Sequence, residues 1–165
     1  LGNLFNVVMG VAPLDLQTAR NGDWVFLGHS GHCTIVVVKG QGTDGDDQTF
    51  TLQEAKTAAG GSSQALSKIS EYWEQEEAAA NLEATAAWTR VTQTEASTVA
   101  PGDPSAQSSA LYAFEVDAAD LSDGFDWIRL NNDGAGANAQ LGTILYIPSE
   151  LRYAGKPQNQ PSFIA

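Results

Sequence analysis

Thr34, Ile35, Val36, Val37 and Val38, entered through Cys33 and closed by Lys39, form a run that is β-branched at all its central positions. Branching at Cβ stiffens the side chain and suits a pleated strand. Successive strand side chains point to opposite faces, so this run is apolar on both. A strand of that kind belongs at the centre of a packed sandwich, with neighbours on either edge and cover on its faces. Everything else in the fold has to supply that cover.

Seven further segments carry strand signals, at residues 24–27, 49–53, 66–75, 88–94, 111–116, 125–130 and 141–147. Some alternate with period two; in the fifth, Tyr112, Phe114 and Val116 share a face. Turn formers separate them: Asn21 and Gly22, the glycines at 28 and 31, the Gly/Asp loop at 40–47, and the Gly/Asn/Ala loop at 131–138. Helix signals are sparse. Residues 54–59 are expected to make one helical turn stopped by Gly60 and Gly61. The Ala/Glu-rich stretch 74–87 reads as a surface excursion with partial helix, and 95–109 as a long exposed loop. The predicted fold class is all-β, a two-sheet β-sandwich of Greek-key or jelly-roll type with extended N- and C-terminal arms. Ile35, Val36, Val37, Phe114, Val116, Ile128, Leu145 and Ile147 are its expected core.

The predicted organisation is an N-terminal arm at 1–20, a sandwich domain at 21–148 and a C-terminal arm at 149–165. Gly2, Gly10 and Pro13 interrupt the first arm, and Pro148, Pro157 and Pro161 extend the second. Neither arm builds a core alone, yet both carry apolar side chains. Leu4, Phe5, Val7, Val8, Leu14, Phe163 and Ile164 are therefore the candidate docking residues, at low specificity of pattern. On this reading, removing residues 1–12 or 154–165 leaves the sandwich folded and weakens attachment.

Charge narrows the partners. The 165-residue chain has a formal net charge of −12, and its eight Lys and Arg are scattered. Phosphate recognition needs a basic patch, so neither nucleic acid nor an anionic membrane is an expected partner. No apolar run approaches the ~18–20 residues that span a bilayer. The first residues lack a positively charged start and a long apolar stretch, so no signal peptide is expected. The single Cys33 is read as a small buried hydrophobe, and no cofactor is expected.

Sites for chemistry are weak in the sequence. Asp44, Asp46 and Asp47 crowd a glycine loop without the ligand spacing of a calcium loop, so a solvated loop is the favoured reading. Asp117, Asp120, Asp123 and Asp126 recur every third residue in a turn context, where they favour turns over a catalytic pair. His29 and His32 lie three apart between glycines, with no third ligand evident. No nucleophile elbow accompanies the serines. Catalytic, cofactor and metal residues are therefore predicted as none, and the protein is predicted not to be an enzyme. Trp24, Trp73, Trp88 and Trp127 could line a sugar groove if two or three of them lay exposed on one face; core or interface packing is the favoured reading.

Several stretches together resemble a known family. They are Asn-Val-Val-Met-Gly-Val-Ala-Pro-Leu-Asp-Leu with the following residues to Trp-Val-Phe-Leu at 6–27, and Thr-Ile-Val-Val-Val-Lys-Gly with Gly-Thr-Asp-Gly-Asp-Asp at 34–47. Asp-Gly-Phe-Asp at 123–126 and Asn-Ala-Gln-Leu-Gly-Thr-Ile-Leu-Tyr-Ile at 138–147 continue the likeness. The chain is similar here, over roughly residues 5–153, to small structural proteins of tailed bacteriophages encoded near the major capsid gene. The resemblance implies a virion component, closest to a capsid decoration or cement protein on the outer head surface. It implies the major capsid protein as partner, self-association as a dimer or trimer, and synthesis in the host cytoplasm. A head-fibre base, collar or tail component is the alternative location. A carbohydrate-binding β-sandwich is the alternative of another class.

Overall fold

Eleven strands arise among the described residues of the computed structural model, which are 5–43, 45–77, 87–101, 109–134 and 136–152. They are β1 (Val8–Asp15), β2 (Val25–Phe26), β3 (Ser30–Lys39), β4 (Phe50–Ala55), β5 (Gln64–Ala65), β6 (Ile69–Glu76), β7 (Thr89–Ala96), β8 (Thr98–Val99), β9 (Ala110–Asp117), β10 (Trp127–Asn132) and β11 (Leu141–Leu151). One turn of 3-10 helix, Ala118–Asp120, joins β9 towards β10. The architecture is an all-β sandwich of two antiparallel sheets. One sheet has six strands in the order β1-β11-β3-β9-β6-β7. The other runs β2-β10-β4-β5, with β8 also paired to β4. The chain passes repeatedly between the sheets, so most neighbours within a sheet are distant in sequence.

β3 sits inside the six-stranded sheet, between β11 and β9, as its β-branched run requires. Its inward side chains Cys33, Ile35 and Val37 are fully buried, with Tyr112, Phe114 and Val116 of β9 beside them. Phe50 of β4 closes the core from the opposite sheet, its ring 6.2 Å from Tyr112 and 6.1 Å from Phe114. A polar tie also crosses between the sheets. β2 is too short to pair along all of β10, and the Leu130 N–H donates instead to the hydroxyl of buried Tyr146, at 2.7 Å.

Four expectations are corrected. Residues 8–15 are not part of a strand-free arm: β1 pairs with β11 and buries Val8 and Val11. Gly10 does not break the strand, because a Cβ there would meet the Tyr146 ring at 1.9 Å; the strand needs a residue without one. Pro13 is tolerated because β1 is an edge strand with a register shift between Val11 and Leu14. Residues 54–59 contain no helix; Glu54 and Ala55 complete β4 before a turn. Residues 95–109, expected to be a loop, include the end of β7 and all of β8, and β9 starts directly after them at Ala110. In β11 the buried residues are Ile144 and Tyr146, whereas Leu145 and Ile147 face the other way, as does Val36 on β3. The second half of the 74–87 excursion, the tip of the 95–109 loop and everything from Tyr153 onward lie outside the described residues.

Candidate interaction surface

The six-stranded sheet has its inner face against the core, and its outer face is the surface of the molecule. Strand register builds that face residue by residue. Met9 lies opposite Leu145, Leu145 opposite Val36, Val36 opposite Ala113, Ala113 opposite Trp73, and Trp73 opposite Arg90. One continuous ladder therefore crosses all six strands, and five of its six side chains are apolar. Met9 is 48% exposed and Trp73 39% exposed; the residues between them are half-buried by their neighbours.

Rows on either side extend the surface. On one side Ile147 pairs with Thr34, and Thr34 with Glu115. On the other, Thr143 pairs with Val38, Val38 with Leu111, and Leu111 with Gln75. Two shallow depressions flank Val38. One is lined by Leu14, Leu141 and Thr143, the other by Leu111, Gln75 and Ser109. A contiguous apolar sheet face that the described residues leave without a layer over it is a marker of an interaction site.

The centre of the face is apolar, and its charges lie at the margins. At one margin Glu71 takes the Arg90 guanidinium in an ion pair, which holds the Arg90 pKa above its ordinary value. At another, Glu115 contacts His32 Nε2 at 2.6 Å and accepts from Thr34 Oγ1 at 3.0 Å, while His32 Nδ1 lies 3.1 Å from Ser149 Oγ. These contacts fix long polar side chains along the rim and leave the five ladder residues from Met9 to Trp73 uncharged. A dry centre with a polar rim is the ordinary anatomy of a protein contact.

The docking residues expected from the sequence divide. Phe5 bridges Ser149, and Phe5 and Val7 are exposed beside β1, at the Met9 edge of the outer face. Val8 belongs to the core, so its apolar side chain is already used. Leu14 is partly buried, packs on the core and lines the depression beside Val38. Leu4, Phe163 and Ile164 lie outside the described residues. Met9, Leu145, Val36 and Trp73 were not singled out as surface residues by the sequence. Their signal was the doubly apolar run of β3 and β11, which reads as core until the number of layers is known.

The other candidates take structural partners. Asp46 accepts from Ala137 N at 3.2 Å and from Asn138 N and Nδ2 at 2.9 and 2.7 Å; these bonds lower its pKa and tie two loops together. Asp120 caps its own 3-10 turn through the Asp117 N–H. His29 sets its ring edge on Phe26, centroids 5.0 Å apart, whereas His32 turns to Glu115 and Ser149. Among the described residues no three His, Cys, Asp or Glu side chains gather around a point where a metal would sit. Cys33 is buried and unpaired, and desolvation pushes its thiol up to about 12. No helix among the described residues is long and apolar enough to cross a membrane.

The tryptophans divide into two pairs. Trp24 is buried, with the Arg129 guanidinium over its ring at 4.4 Å, and Trp127 packs against Phe26 at 5.0 Å, both at the five-stranded sheet. Trp73 and Trp88 are exposed at the β6–β7 end of the other sheet. Two buried charged residues were also missed. Lys39 is 2% exposed at the end of β3, its Nζ 3.0 Å from the Gln140 amide oxygen, and burial pushes its pKa down to about 8. Glu54 is 1% exposed and accepts from Gln64 Nε2 at 2.6 Å, Ser122 Oγ at 2.6 Å and Ser122 N at 2.8 Å. It pins the turn after the 3-10 helix to β4 and β5.

No protein-family profile and no curated protein matches the chain. Among solved structures it is similar to the SPBc2 prophage-derived protein YomS, with a TM-score of 0.44 and 9% identity over 86% of this chain and 92% of that one. A likeness at that score does not establish a common fold.

Proposed function

We propose that the protein is a structural component of a virus particle, a decoration or cement protein of a tailed-phage head. In this reading it is made in the host cytoplasm, binds the outer capsid surface and stabilises contacts between major capsid protein subunits. It carries no catalytic role. The observation behind the proposal is the outer face of the six-stranded sheet, a surface apolar at its centre on a chain with net charge −12. Charge keeps the free protein soluble, and the apolar face rewards assembly once a partner covers it. Many weak contacts repeated over a symmetric shell then add up to firm attachment. The sequence resemblance at 6–27, 34–47, 123–126 and 138–147 supports the same assignment.

The test is co-sedimentation of purified protein with phage heads that lack it, followed by the ratio of bound chain to major capsid protein. A decoration protein saturates at a copy number comparable to the capsid subunits. Saturation at a few copies per particle would move it to a collar, head-fibre base or tail. No binding to any particle fraction would overturn the proposal.

A further inference from the structure

We infer that the outer face of the six-stranded sheet is covered by a second copy of this chain, packed face to face, so that the unit arriving at a particle is a dimer. The inference rests on reading that face as a contact surface, and it assigns the occupant.

Area is the first argument. The five strands that overlap across an axis along β3, each about 4.8 Å wide, and the outward stretch of β3 at about 3.3 Å per residue give a footprint on the order of 24 by 23 Å. Two such faces together remove about 1,100 Å² from water, which clears the roughly 1,000 Å² asked of a specific interface. A sheet laid on a sheet also matches flat surface to flat surface, as in any aligned sandwich.

Charge is the second. The charges lie at the margins, where Glu71 pairs with Arg90 and where Glu115 and Asp117 sit beside His32. A strongly basic partner would find no unpaired carboxylate in the ladder. A second copy brings one neutral strip to another and leaves its acidic sides in solvent, where salt screens them over about 8 Å.

Shape is the third. The largest exposed apolar side chains of the ladder, Met9 and Trp73, stand two strands to either side of β3, on β1 and β6. A twofold axis running along β3 lays β1 of each copy over β6 of the other. Met9 of each then meets Trp73 of the other, a favourable thioether–aromatic contact, and Val36 meets Val36 on the axis. The ladder is thus complementary to itself.

The experiment is sedimentation velocity of the full chain over a concentration series, with circular dichroism of every variant. The wild type should sediment at twice the 17.4 kDa chain mass. Val36→Glu places a charge on the axis and should weaken association by about 100-fold or more; Trp73→Ala should weaken it by at least about 10-fold. Ser63→Glu, which adds the same charge on an exposed turn beside the other sheet, should leave it unchanged. If Val36→Glu loses its β signal, Leu145→Glu supplies the same test one strand away. A wild type that stays monomeric at about 100 µM, or charged variants that still dimerise, would overturn the inference. A monomer that still saturates particles removes the dimer and keeps the decoration role; a dimer that binds no particle does the reverse.

Discussion

Tyr146→Phe removes one oxygen from the centre of the sandwich, and the structure sets what that costs. The Tyr146 hydroxyl is fully buried and accepts the Leu130 N–H at 2.7 Å, where β2 is too short to offer a strand partner. Phenylalanine keeps the ring and its packing against Gly10 but leaves that N–H without an acceptor. An orphaned buried donor costs about 1–3 kcal/mol, so about 2 kcal/mol is the expected loss. For a domain of this size that lowers Tm by about 4–8 °C. Gly10→Ala should cost at least as much, because its new methyl would lie 1.9 Å from the same ring. Tyr146→Leu removes the obstructing ring atoms, so Gly10→Ala should cost much less in that background. Thermal and urea unfolding of the four proteins, read as a double-mutant cycle, measures the coupling. A Tyr146→Phe protein within about 0.3 kcal/mol of wild type, or strict additivity of Gly10→Ala and Tyr146→Leu, would refute the reasoning.

Other perturbations have equally definite outcomes. Glu54→Ala strands the donors of Gln64 and Ser122 and should destabilise the fold by about 3 kcal/mol in urea unfolding. Alkaline pH should destabilise the protein towards pH 12: Cys33 is raised from 9.0 to about 12, so the unfolded chain ionises first and the stability that Cys33 contributes below pH 9 is lost towards pH 12, a loss that Lys39 offsets up to about pH 10.5. Lys39 acts in the opposite sense. Its pKa falls from 10.5 to about 8, so it adds stability as pH rises between those values, and Lys39→Met should steepen the alkaline loss. Deleting residues 1–12 should unfold or strongly weaken the domain, visible as a lowered Tm, because Val8 and Val11 leave the core at about 1.5–3 kcal/mol each.

The sequence was most legible where alternation was clean. In β9 the alternation of Tyr112, Phe114 and Val116 with Leu111, Ala113 and Glu115 identifies both the strand and its buried face. In β11 the run of Ile144, Leu145, Tyr146 and Ile147 is apolar at each position, so it identifies a strand but gives no phase. Pairing of Leu145 with Val36 fixes that phase, and it is a tertiary fact. β1 was missed because Gly10 and Pro13 resemble breakers; only the Tyr146 ring and the edge position explain them. Glu54 was read by helix propensity, which its bonds to Gln64 and Ser122 override.

The same ambiguity hid the interaction surface. A doubly apolar strand implies cover on both faces, and the natural reading is that both covers belong to one chain. Here one sheet covers the inner face of β3, and among the described residues nothing is layered over the outer face with Val36 and Val38. On the reading proposed above, the surplus of apolar side chains in 34–38 and 144–147 is a signal of assembly, legible only once the second sheet is found to lie on one side.

The most direct measurement is a cryo-electron-microscopy map of phage heads carrying this chain at saturation. The expected map places the sandwich on the outer head surface with the ladder from Met9 to Trp73 buried against a second copy. A sandwich on the head whose six-stranded sheet faces open solvent, or no density for the chain on the particle, would contradict it.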